Sequence, residues 1–327
     1  MAIVHTLTVN PAVDVSTAAA RVEPEVKLRC ERPQLDPGGG GINVARVLKR
    51  LGADCVAYYA AGGHTGRLLG DLLDGEGLHR RVIEIAGSTR EDVTVGDRAS
   101  GRQYRFVMPG PRLSEAEWTR CLLEPLEGEP RPGFIVASGS VPEGVPTDFY
   151  ARLARAARGA GIRMVLDTSG AALRAATAPV HLLKLNRREA AELTGRPASD
   201  AAQLGGASQE LVRAGRAEAI VVSLGAEGAL LATAADVERL AAPLVPVASR
   251  IGAGHSMVAG IVLGQARGWS LRDSVLLGLA AGSATVMAHG TNLGQARDVE
   301  RLFDELRSKP YALVGGAPAL RLCSASR

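Results

Sequence analysis

Residues 250–264 read RIGAGHSMVAGIVLG, and this stretch decides what kind of α/β protein the chain forms. Gly252, Ala253 and Gly254 open a run with the apolar spacing of a helix. Free backbone N–H groups and the helix dipole at such a start suit negative charge on a transferring phosphoryl group. The same glycines can also make nothing more than a tight turn. The run superficially resembles a dinucleotide fingerprint, but Met257 stands where that fingerprint needs its third glycine, and the run comes late rather than after the first strand. That disfavours a Rossmann dehydrogenase. No G-x-x-x-x-G-K-[ST] loop occurs anywhere in the chain. Where the loop points its first side chain at a bound phosphate stands His255.

Working outward, short β-branched runs alternate with helical patterns. Residues 3–9, 55–60, 134–138, 164–168, 182–185 and 220–224 read as buried strands. In GINVARVLKRLG (41–52), Val44, Val47, Leu48 and Leu51 fall at helical spacing, and Gly52 is placed to stop the helix. SLRDSVLLGLAAGSATVMAHG (270–290) opens on Ser270 and Asp273 as a capping pair and closes at Gly290. This alternation predicts an α/β fold, a mostly parallel sheet between two layers of helices.

Two segments, 14–32 and 89–108, break the series. The second reads as a hairpin turning at Arg98–Gly101, with Tyr104, Phe106 and Met108 on one face and Gln103, Arg105 and Val107 on the other. Together they are expected to form a small β-sheet lid. The α/β core would then comprise residues 1–13, 33–88 and 109–327. A small sheet with an apolar face needs a cover, which a second copy of the lid would supply.

The composition fits a soluble globular protein, with 46% hydrophobic and 22% charged residues. Aromatics at 3% and a dispersed net charge of +4 give no stacking surface or basic arm for nucleic acid. Cys30, Cys55, Cys121 and Cys323 form no C-x-x-C pair, which argues against a zinc site or a disulfide framework and is compatible with a reducing cytoplasm. The N-terminus lacks the layout of a signal peptide, and the most apolar run, 275–288, is too short for a bilayer. Only Lys27, Lys49, Lys184 and Lys309 are lysines among 38 basic residues, so each draws attention.

Other motifs each carry two readings. PGGGGINVAR (37–46) sets four glycines before a helix, either a flexible turn or a loop that approaches a ligand closely, with Asn43 in the first turn facing sugar hydroxyls. Asn186 and Glu189 match an ordinary capping box, and also a carboxylate that holds Mg²⁺ through its water shell. Ser223, Gly225 and Gly228 form Ser-x-Gly-x-x-Gly after a strand, which is a hairpin turn or a nucleotide-shaping loop. Lys27, Arg29, Arg90 and Arg105 in or beside the lid suggest an anionic substrate such as a sugar phosphate.

Together these pieces resemble the ribokinase-like carbohydrate kinases of the PfkB family, from the first strand to about Phe303. The signatures are GGGGINVARVLKRLG (38–52) and IGAGHSMVAGIVLG (251–264). KLRC (27–30), PGGGGINVAR and QYRFVMPG (103–110) resemble the ATP-dependent 6-phosphofructokinases within that family. The resemblance implies a Rossmann-like three-layer core whose β-sheet lid dimerises. It implies that Asp14, Gly39, Gly40 and Asn43 hold the sugar hydroxyls, and that Arg90, Arg105 and Ser140 bind near the substrate phosphate. Lys27 and Arg29 would reach the site across the dimer. Lys184, Asn186, Ser223, Gly225 and Gly228 would line the ATP side, Glu189 and Asp167 would organise Mg²⁺, and Gly252, Ala253 and Gly254 would form the anion hole.

Two departures bear on turnover. The family carries an aspartate as general base where this chain has His255, and a small hydroxyl residue where it has Arg250. General-base catalysis contributes roughly 10² to 10⁴ in rate, or about 3 to 5 kcal/mol. Positioning and charge stabilisation remain. The expectation is therefore an impaired kinase, most simply for fructose 6-phosphate. Fructose 1-phosphate or tagatose 6-phosphate as substrate, or a non-catalytic protein that binds sugar phosphate or nucleotide, stand as alternatives.

Overall fold

A computed structural model describes residues 1–288 and 293–308, so Gly290, Lys309, Cys323 and the tail after Pro310 lie outside the described residues. The chain runs β1 (Val4–Thr8), β2 (Ala12–Ala19), β3 (Gln34–Gly38), α1 (Gly40–Arg50), β4 (Cys55–Ala61), α2 (Gly63–Gly75), β5 (Arg80–Glu84), β6 (Arg90–Asp97) and β7 (Gln103–Phe106). It continues through α3 (Glu115–Glu127), β8 (Phe134–Ser138), α4 (Phe149–Gly159), β9 (Arg163–Asp167), α5 (Gly170–Ala175), β10 (Val180–Asn186), α6 (Arg187–Thr194), α7 (Ala201–Arg213) and β11 (Ala217–Ser223). After a 3₁₀ turn follow β12 (Ala229–Ala232), β13 (Val237–Leu240), α8 (Ala253–Ala266), α9 (Leu271–Val286) and α10 (Ala296–Arg307).

Nine strands form the main sheet in the order β13-β12-β11-β10-β9-β8-β1-β4-β5, parallel from β11 to β5. The hairpin of β12 and β13 closes one edge in antiparallel sense. Alternate residues of each strand feed two cores. Phe134 and Val136 pack with α1, α2, α8, α9 and α10, whereas Ile135 and Ala137 pack with α3 to α7. Burial on both faces is why these strands read as near-continuous apolar runs. Helix α1 stops at Leu51, and Gly52 takes a φ of 75°, the left-handed value that glycine adopts freely. Ser270 caps α9 by accepting from the Asp273 N–H. Among the described residues no helix is long and apolar enough to cross a membrane.

The second sheet runs β3-β2-β6-β7. Both interrupting segments contribute to it, and it reaches past them: β2 begins at Ala12, and β3 lies in the stretch read as core. The hairpin turns at residues 98–101 as expected, but β7 ends at Phe106, so Val107 and Met108 continue as an extended loop. Register divides the sheet into two faces. The row Leu35, Val15, Val93, Phe106 crosses all four strands on one face. Asp36, Asp14 and Asp92 form a neighbouring row on the opposite face, together with Thr94 and Arg105. Two-residue periodicity thus produces a polar face and an apolar one.

Candidate active site

The strand order changes direction at β1, which has β4 on one side and β8 on the other. In open α/β sheets ligands bind beyond the carboxyl ends of the strands at such a switch point. Thr8, Ser138, Asp167, Asn186 and Ser223 are the terminal residues of β1, β8, β9, β10 and β11, so all stand on this edge.

The first glycine loop wraps the end of β1. Gly39, at φ 118°, precedes α1, and the Ile42 N–H donates to the Thr8 hydroxyl at 2.9 Å. A Cβ at Gly40 would fall 2.3 Å from Ser138 Oγ, and one at Gly38 would fall 2.7 Å from the Asp14 carboxylate. Glycine is therefore required by close approach of the loop to β8 and to the lid. Burial, foremost, pushes the Asp14 carboxyl up to about 6, and the Asp92 and Asp36 charges add to it against the pull of Arg105 and Arg90.

The second glycine loop meets a buried cluster. Gly252 takes a left-handed φ of 79° and caps α8, so Ala253, Gly254 and His255 supply its first turn. Lys184 Nζ donates to Asp167 Oδ1 at 3.1 Å, and a Cβ on Gly254 would lie 3.0 Å from that same Nζ. The lysine therefore sits against the helix start. Ser138 Oγ donates to Asp167 Oδ2 at 3.0 Å, and His255 Nε2 stands 3.9 Å from that oxygen. Burial pulls Asp167 upward, yet Lys184, His255 and the two hydrogen bonds outweigh it and hold the carboxyl below its usual range. Burial lowers the His255 pKa, with Lys184 and Arg105 adding to the shift and Asp167 opposing it. Although the His255 side chain is 34% exposed, its Nδ1 is buried and has no hydrogen-bond partner among the described residues.

The lid lies over both loops. Arg105 is near enough to act electrostatically on Asp14 and on His255. Arg90 is anchored, donating to Asp92 Oδ1 at 3.2 Å, the Met108 carbonyl at 2.8 Å and the Asn10 carbonyl at 3.3 Å. Asn10 Nδ2 in turn donates to Ser140 Oγ at 3.1 Å. Asn10 thus couples lid to core, a role that sequence reasoning missed. Its signal was an Asn-Pro pair directly after a strand. Ser138 was missed as well, because only pairing with β9 brings it to Asp167.

Other candidates also make local contacts. Asn186 and Glu189 form the full capping box, with the Glu189 N–H donating to Asn186 Oδ1 at 2.9 Å and the Asn186 N–H to Glu189 Oε2 at 2.7 Å. Glu189 is nonetheless raised above its ordinary value, chiefly by burial and further by Asp167, so the two carboxylates share one field. Ser223 Oγ donates to the Leu185 carbonyl at 3.3 Å, and Gly225 and Gly228 make the turn between β11 and β12. Lys27 and Arg29 are exposed in the connection from β2 to β3, without a hydrogen bond or ion pair to the site among the described residues.

The chain that builds this arrangement is similar to known proteins. The model of the pfkB family of carbohydrate kinases matches residues 7–297. An ATP-dependent 6-phosphofructokinase isozyme 2 from Mycobacterium tuberculosis is 47% identical over 305 residues, covering 93% of this chain and 90% of the relative. The enzyme of the same name from Escherichia coli is 40% identical, covering 92% and 97%. The crystal structure of phosphofructokinase-2 from Escherichia coli in complex with fructose-6-phosphate superposes with a TM-score of 0.87 at 39% identity, covering 94% of this chain and all of that one.

Proposed function

Since the chain belongs to the pfkB family of carbohydrate kinases, we propose that it is an ATP-dependent, cytoplasmic sugar-phosphate kinase that converts fructose 6-phosphate to fructose 1,6-bisphosphate, with turnover held down by His255. The observation that carries this reading is the convergence of Gly252–Gly254, Lys184, Asp167 and His255 beneath the polar face of the lid.

In this reading Asp14, Gly39, Gly40 and Asn43 bind the sugar hydroxyls, and Arg90, Arg105 and Ser140 receive the substrate phosphate. The triphosphate lies along the start of α8, where Gly252, Ala253 and Gly254 offer N–H groups and Lys184 a cation. Asn186, Ser223, Gly225 and Gly228 shape the nucleotide side. His255 takes the proton of the attacking hydroxyl, being uncharged near neutral pH because its pKa lies below 6.5. The common field of Asp167 and Glu189 suits Mg²⁺, which binds through few carboxylates and keeps most of its water. These two residues would hold it, and it would supply charge neutralisation on the triphosphate.

A coupled assay over fructose 6-phosphate, fructose 1-phosphate and tagatose 6-phosphate, with calorimetry in parallel, tests the reading. We expect binding of ATP–Mg²⁺ and of fructose 6-phosphate, with slow transfer between them. Preference for another sugar phosphate would revise the substrate, and absence of binding by either ligand would overturn the function.

We also propose a homodimer through the lid, with Lys27 and Arg29 reaching the neighbour's site. Phe106 at 50% exposure and Tyr104 at 37% stand on the apolar face of the small sheet at its outer strand, where an apolar surface calls for a partner. Sedimentation at micromolar concentration is expected to give a dimer, and Phe106→Asp a monomer. A monomeric parent chain would exclude the shared site.

A further inference from the structure

We propose that Arg46 is a positioning residue for the sugar site, fixing which way the Asn43 carboxamide faces. The inference rests on the reading of Asn43 as a ligand of sugar hydroxyls. Arg46 follows Asn43 by three residues on α1, close enough on a helix for the side chains to meet. It is only 4% exposed, a rare state for a charge unless paired.

Its guanidinium divides its donors between two tasks. Nε donates to both oxygens of Glu76, at 3.0 and 2.9 Å, and Nη2 donates to Glu76 Oε1. Nη1 points elsewhere, to the Pro37 carbonyl at 3.2 Å and Asn43 Oδ1 at 3.1 Å. An ion pair alone would not require arginine, since apolar side chains commonly replace such pairs without loss. The two Nη1 bonds are what an apolar or point-charge side chain cannot reproduce.

The chemical consequence lies in the amide. A guanidinium has donors and no acceptor, so only the oxygen of Asn43 can face it. The Nδ2 group is thereby turned away, and no described residue accepts from it. Asn43 then offers N–H donors to a ligand. Asp14, against Gly38 in the same loop, offers an acceptor when ionised. A sugar hydroxyl that donates to the carboxylate and accepts from the amide satisfies both. Without Arg46 the amide can flip and present a second acceptor, which opposes that pattern. The bond to Pro37 also ties the loop preceding α1 to α2 through Glu76.

The test compares Arg46→Met, Arg46→Lys, Asn43→Ala and the double variant Arg46→Met/Asn43→Ala by calorimetry with fructose 6-phosphate and, separately, ATP–Mg²⁺. Arg46→Met is expected to weaken fructose 6-phosphate binding roughly tenfold, the scale of one lost hydrogen bond, with ATP affinity unchanged. The double variant is expected to bind no more weakly than Asn43→Ala, because both act through one amide. In the assay KM for the sugar should rise while kcat is kept. Arg46→Lys keeps a charge for Glu76 and covers the case in which Arg46→Met does not fold; it too should lose sugar affinity. Additive losses, equal losses for both ligands, or unchanged sugar affinity in Arg46→Lys would overturn the inference. A parent chain that binds ATP but no sugar phosphate would overturn the reading of Asn43, and this inference with it.

Discussion

Replacing His255 by aspartate is expected to raise phosphoryl transfer by roughly two to four decades, the range that a well-placed general base contributes. The imidazole occupies the first turn of α8, 3.9 Å from Asp167, with Nδ1 buried and without a hydrogen-bond partner among the described residues. It is neutral near pH 7.5, so it can accept a proton. The imidazolium it would become is disfavoured by burial and by Lys184 and Arg105, which makes it a weak base. A carboxylate at the same place is held in its anionic, proton-accepting form by the helix dipole and those same cations, which lower its basicity while fixing it toward the attacking hydroxyl. It also stands beside Asp167, a like charge that raises its proton affinity toward working pH. The pH profile separates the two forms. Activity of the parent chain should fall as pH drops below 6.5 through the lowered His255 pKa, whereas the variant should lose that imidazole step. Arg250, two residues before the loop glycine and exposed, is best changed to threonine in the same background. If His255→Asp with Arg250→Thr binds both ligands and transfers nothing, the protein is a binding protein and the kinase reading is wrong.

The second large effect is expected at Lys184. The Lys184→Met variant leaves Asp167 buried beside His255 and Ser138 without its main counter-charge. Removing one partner of a buried pair costs roughly 3–5 kcal/mol, and the remaining contacts to Asp167 favour the lower end. The ammonium also lies against Gly254, so a charge-assisted bond to the triphosphate would be lost, weakening ATP roughly ten- to hundredfold. Urea unfolding and calorimetry read these separately. Adding Asp167→Asn should restore much of the stability and none of the ATP affinity, because it removes the stranded charge but supplies no cation. Equal stability of Lys184→Met and the parent would show that the pair does not hold the two strands' ends together.

What was legible in the sequence was local. Strand and helix alternation, the glycine that ends α1, the Ser270 cap and the hairpin at residues 98–101 follow from periodicity and turn chemistry, which act over a few residues. The two glycine loops were visible because runs of glycine before a helix are costly unless backbone must come close to something. The extent of the lid was less legible. β3 has only five residues, including a proline and a glycine, and it is a strand because β2 pairs with it.

The relations between distant residues were decided by the tertiary structure alone. Asp167 meets Lys184 because β9 and β10 are parallel neighbours, and Ser138 joins them through the register of β8 on β9. No spacing along the chain encodes that meeting. Asn186 and Glu189 satisfied a local capping pattern, so the nearness of Glu189 to the Asp167 charge could not be inferred from the motif. Arg46 and Asn10 were not singled out in the sequence, and only packing shows what their side chains hold. The sequence by itself therefore determined the elements and the loops that can face an anion, through forces local to the backbone. Burial and strand order determined which side chains share a field, because desolvation and Coulomb coupling depend on distance in space.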